Sequence, residues 1–80
     1  MSGYAVYDAT NNRLDIIRPN ETTTRHIKCN NLNPKFERIF GVEINGDEIC
    51  VIVGPHNNPR PNKKYIYFFS SLSGGGSRSI

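Results

Sequence analysis

Nowhere in this 80-residue chain is there an apolar run approaching the roughly 20 residues that span a bilayer. A helical membrane anchor is therefore not expected. The opening MSGYAVYDAT lacks a basic segment followed by an apolar one, so no secretory leader is visible and a cytoplasmic location is expected. Cysteine is scarce: Cys29 and Cys50 allow one disulfide at most, and two thiols in an intracellular chain are expected to stay reduced. No adequate window carries apolar residues at helical spacing between caps, and residues 34–39 offer at best one turn. No catalytic signature is present, and there is no room for a second domain. A chain this short buries only about 60–65% of its unfolded surface, which leaves its stability marginal.

Charge is not concentrated either. Ten Lys and Arg against seven Asp and Glu give a net charge of +3, and only Arg60, Lys63 and Lys64 lie close together. Nucleic-acid-binding domains usually cluster their charge more strongly. What the chain has in excess is asparagine, ten residues of which eight gather at 11–12, 30–33, 57–58 and 62. Asparagine accepts left-handed backbone and caps its own turn, so these positions read as loop chemistry.

The most informative stretch is 40–53, FGVEINGDEICVIV, two arms of alternating apolar residues joined at Asn45-Gly46. Asn-Gly between such arms signals a hairpin, because both residues tolerate the positive φ of a tight turn. Pairing Ile44 with Ile49, Val42 with Val51 and Phe40 with Val53 gives one apolar face. A tighter register would oppose Glu43 and Glu48, which like charges disfavour.

Residues 4–7 and 14–18 read as two strands around a turn-rich connection. Residues 22–29, with three consecutive threonines, read as an edge or half-exposed strand, and 36–44 and 48–53 form the hairpin. Residues 54–62, GPHNNPRPN, form a long loop stiffened by prolines. The run 65–69, YIYFF, reads as a central strand covered on both faces. The expected fold is all-β, about six short antiparallel strands in a single domain over 1–72. A flexible Gly/Ser-rich segment follows at 73–80, where 78–80 could add a last strand.

Two passages share a plan. Tyr4-Ala5-Val6-Tyr7-Asp8-Ala9-Thr10-Asn11-Asn12-Arg13-Leu14-Asp15-Ile16 is a strand, a polar turn and a strand. Ile66-Tyr67-Phe68-Phe69-Ser70-Ser71 through Arg78-Ser79-Ile80 repeats it with a glycine-rich turn, and VEINGDEICVIV lies between. This order resembles a β-propeller blade, with NHL- and YVTN-like repeats the nearest comparison. The resemblance implies that 4–17 form the outer part of one blade and 40–80 most of the next. Since one blade cannot bury its faces alone, it implies a propeller fragment or assembly with further copies. Without it, the strands close into a small barrel or sandwich.

Candidate chemistry is sparse. His26, Cys29, Cys50 and His56 are the right types for zinc, but on a strand His26 and Cys29 point to opposite faces. Asp47 and Glu48 sit in a hairpin loop with no second group brought to them, and Cys50 lies mid-strand without an electropositive setting. Gly74-Gly75-Gly76 lacks the Lys-Ser/Thr ending of a phosphate loop, and Asn20-Glu21-Thr22 matches a glycosylation sequon in a chain without a leader. No cofactor, metal or catalytic residue is expected. The long loop on so small a domain points to a non-enzymatic module recognising a protein partner, through the proline-rich loop or an exposed sheet edge. His56, Asn58, Arg60, Lys63, Lys64 and Tyr65 are the candidate binding residues. The alternative is a small basic binder of single-stranded nucleic acid, stacking bases on Tyr65 and Tyr67 beside the lysines. A poorly protected edge and the apolar run 65–69 also lead to the expectation of a homo-oligomer, most simply a homodimer formed by edge pairing or by packing of the aromatic face.

Overall fold

The computed structural model describes residues 3–74. They form β1 (Tyr4–Asp8), β2 (Arg13–Ile17), β3 (Arg25–Lys28), β4 (Glu37–Asn45), β5 (Glu48–Pro55) and β6 (Lys63–Phe68). A 3-10 turn (Phe69–Ser71) and a two-residue strand, β7 (Ser73–Gly74), complete the order. The strands make two antiparallel sheets, β1-β2-β3-β7 and β4-β5-β6. The all-β expectation therefore holds, in two layers over one core.

Alternation builds that core. Leu14 and Ile16 of β2 and Ile27 of β3 are buried on the inner face of the first sheet, and Ile49, Val51 and Val53 of β5 on that of the second. Cys29, Leu32 and Phe69 join the same cluster, and Tyr65 and Tyr67 pack against it. Burying each such aliphatic side chain contributes about 1.5–3 kcal/mol.

The hairpin keeps the expected pairs Ile44–Ile49 and Val42–Val51, but its upper arm departs from the reading. A β-bulge between Ile39 and Gly41 sets Ile39, not Phe40, opposite Val53. Asn45 pairs with Glu48, which leaves Gly46-Asp47 as a two-residue turn in which Gly46 alone takes positive φ, at 59°. Such a turn asks for glycine only at its first central position.

Other expectations are corrected. Only 25–28 of the 22–29 segment is strand, because the three threonines precede the ladder. Residues 34–36 are a turn rather than a helix, and Phe36 is exposed. Strand β5 runs on to Pro55, so the loop is shorter than read. The run 65–69 is not central: β6 is an edge strand whose Ile66 and Phe68 are 45% and 46% exposed. Cys29 is fully buried. Ser73 and Gly74, expected in the flexible tail, pair with β3, and the strand considered at 78–80 lies outside the described residues.

One residue ties the first sheet together. Asn12 sits in left-handed backbone (φ 49°) and accepts from the Tyr7 hydroxyl. Its Nδ2 donates to the carbonyls of Cys29 (2.9 Å) and Leu32 (3.1 Å), and its own carbonyl accepts from the Cys29 amide. We expect Asn12→Ala to cost ~2–4 kcal/mol, combining three lost hydrogen bonds with a left-handed penalty of about 1 kcal/mol. Asn12→Gly should cost less, since only the bonds are lost. Urea unfolding of both variants checks this, and equal losses would remove the backbone contribution.

Candidate binding surface

The proline-rich loop is ordered by its own turns. The Asn58 amide donates to the Pro55 carbonyl (3.2 Å), the Arg60 amide to Asn58 Oδ1 (3.1 Å) and the Asn62 amide to the Val53 carbonyl (3.0 Å). The loop is seated on Gly54, where a Cβ would stand 2.9 Å from the Arg60 carbonyl oxygen and 2.8 Å from Phe40 Cε1. Glycine is needed there for close approach.

Of the six candidate residues, four hold structure. The His56 amide donates to the Phe36 carbonyl, and its Nε2 lies 2.8 Å from the Pro34 carbonyl, a contact that requires the Nε2–H tautomer. Asn58 closes the loop turn as described. Lys63 Nζ lies 2.9 Å from Glu37 Oε2, whose other oxygen accepts from the Asn33 amide. The Tyr65 hydroxyl donates to the Asn31 carbonyl while its ring packs on the core. Arg60 and Lys64 are exposed and pair with no carboxylate among the described residues. Lys64 and Lys63, with Ile52, Pro61 and Asn62, line a shallow depression of about 300 Å³. The rings that would stack nucleic-acid bases, Tyr65 and Tyr67, are turned towards the core.

A larger concavity lies on the other side of the second sheet. No described strand pairs with the outer side of β1 or of β4. Where these two edges approach, a groove of about 450 Å³ is lined by Tyr4, Ala5, Ile39, Phe40, Val42 and Ile44 with Gly3 and Gly41 beside them. The far side of the layers is closed: Arg18 stacks on the Phe69 ring at 4.2 Å and Arg25 donates to the Phe69 carbonyl. The two edges are also unequally guarded. β4 carries a bulge and charged residues, whereas Tyr4-Ala5-Val6-Tyr7 has neither, with Tyr4 and Val6 54% and 50% exposed. That uncharged run was the available sequence signal for an open edge.

The four zinc-type residues are scattered. Cys29 is in the core, Cys50 faces outward between Glu43 and Ile66, His56 is in the loop, and no described group of three ligand types comes together. His26 is on the outer face of the first sheet, its Nδ1 2.7 Å from Asp15 Oδ1, with Arg13 Nε 2.9 Å from that same oxygen. Both cysteines are free thiols. Burial pushes the Cys29 thiol above its ordinary value, which suits packing rather than nucleophilic work. No helix among the described residues is long and apolar enough to cross a membrane. No protein-family model, curated protein or solved structure matches the chain.

The Glu37–Lys63 clamp makes a pH prediction. The Lys63 hydrogen bond, then the Asn33 amide, hold the Glu37 carboxyl below its ordinary 4.5. A depressed carboxylate adds stability above its unfolded value and loses it as pH falls through the folded one. Stability should therefore decline below about pH 4.5, and Glu37→Gln should flatten that part of the profile. Thermal midpoints between pH 2 and 6 read this out, and an unchanged slope in the variant would contradict it.

Proposed function

We propose that the chain is a non-enzymatic interaction module that takes an extended segment of a protein partner along the unguarded edge of β1. The single observation behind this reading is the groove between two strand edges that no described strand covers, where apolar side chains lie beside open backbone. Strand addition supplies main-chain hydrogen bonds for affinity. Alternate side chains of the added strand then enter a groove, and they set selectivity. Ile39, Val42 and Ile44 form an apolar floor, so the segment it suits has apolar residues at every second position. A cytoplasmic location goes with this reading, since two unbridged buried thiols suit a reducing compartment.

Peptides selected from a random displayed library provide the test. Selected sequences should alternate apolar and polar residues. Tyr4→Lys combined with Val6→Lys, both at exposed positions, should weaken their binding about tenfold or more (~1.4 kcal/mol) at an unchanged thermal midpoint. Arg60→Ala combined with Lys64→Ala should change it little. The reverse pattern would return the function to the proline-rich loop.

A further inference from the structure

The two outer faces of the layers differ. On the first sheet, Asp8, Arg13, Asp15 and His26 lace the surface with ion pairs, as a solvated face does. On the second, the outward residues fall in cross-strand rows: Arg38 with Gly54, then Gly41, Ile52 and Lys64, then Glu43, Cys50 and Ile66, then Asn45, Glu48 and Phe68. Phe40 lies over Gly54 beneath the Arg38 guanidinium, 4.1 Å from its ring centroid. The middle is apolar, one end is basic and the other acidic. No carboxylate pairs with Arg38 or Lys64, and no cation with Glu43 or Glu48, among the described residues.

We infer that this face seats a second copy of the chain, packed sheet to sheet about a two-fold axis that crosses the strands. Charge selects that arrangement. A two-fold axis along the strands would stack Arg38 and Lys64 on their own copies and Glu43 and Glu48 on theirs, which costs binding energy. An axis across the strands reverses the partner and lays each strand over its own copy. Each basic end then meets an acidic end, Ile52 lies over the buried Cys50 position at the centre, and Ile66 lies along the Lys64 stem of the other copy. The contact is self-complementary, as a two-fold interface must be. With strands ~4.8 Å apart and alternate residues ~6.8 Å apart, the patch covers about 400 Å² per copy. At about 800 Å² in total this is below the roughly 1,000 Å² of a stable interface, so the dimer is weak and transient and forms and dissociates with concentration. Phe40 and Gly41 border the groove as well as this face, so the two readings are told apart by their variants: Tyr4 and Val6 lie outside the dimer face, and Arg38, Glu43, Glu48 and Lys64 outside the groove.

Sedimentation equilibrium of the full chain from micromolar to millimolar concentration tests the inference. The wild-type chain should shift from monomer to dimer, less readily at high salt. Arg38→Glu with Lys64→Glu makes both ends acidic, and Glu43→Lys with Glu48→Lys makes both basic. Each variant alone should dimerise at least about tenfold more weakly, and an equimolar mixture should restore a dimer. All four positions are exposed, and thermal midpoints confirm that the variants fold. Ile66→Lys, which faces Lys64 of the other copy, should weaken the dimer in the wild-type charge background. A wild-type mass that stays monomeric throughout, or a dimer indifferent to both charge variants, overturns the proposal.

Discussion

Each of the two sheets has only one face that the other can cover, and the rest of the structure follows from this shortage of layers. The inner faces meet through Leu14, Ile16 and Ile27 on one side and Ile49, Val51 and Val53 on the other, with Phe69 filling the closed side. Eighty residues do not extend to a third layer. Ile66 and Phe68 on one outer face, Tyr4 and Val6 at one edge and Phe36 in the turn before β4 are therefore left half in water or more. These are the positions where a binding function has material to work with.

Polar chemistry is spent mainly on holding connections. Asn12 joins the first turn to the segment after β3, Asn33 receives the amides that start β4, and Asn58 closes the proline-rich loop. Asp47 accepts from the Ser70 amide and hydroxyl, and its carbonyl accepts from the Phe69 amide, so the hairpin tip holds the 3-10 turn in place. An asparagine-rich composition thus has a structural use here. Backbone groups in short loops find partners close by, and the sheets stay in register without long connections.

Strand existence was legible in the sequence wherever alternation was strict, as in β2 and the lower half of the β4–β5 hairpin. It failed at Phe40 because a bulge shifts the phase of alternation. Ile39 and Val42 both point inward, and the adjacent pair Ile39-Phe40 before Gly41 was the available sign. The run 65–69 misled for another reason: five apolar residues look the same whether a second face is covered by the chain, by a partner or by nothing. Among the candidate site residues, His56, Lys63 and Tyr65 were legible as polar groups near a loop. Their partners, Pro34, Glu37 and Asn31, are distant in sequence, so their structural duty was not. The groove was hidden because it depends on β1 meeting β4, a contact that no local pattern encodes.

The account rests on one shared core with an uncovered β1 edge. Amide hydrogen exchange followed residue by residue tests that most directly. Amides of β2 and β5, paired on both sides, should exchange only through global unfolding, while amides of β1 that point away from β2 should exchange many times faster. Protection along the whole of β1 equal to that of β5 would contradict the account, because it would mean that the edge is already covered.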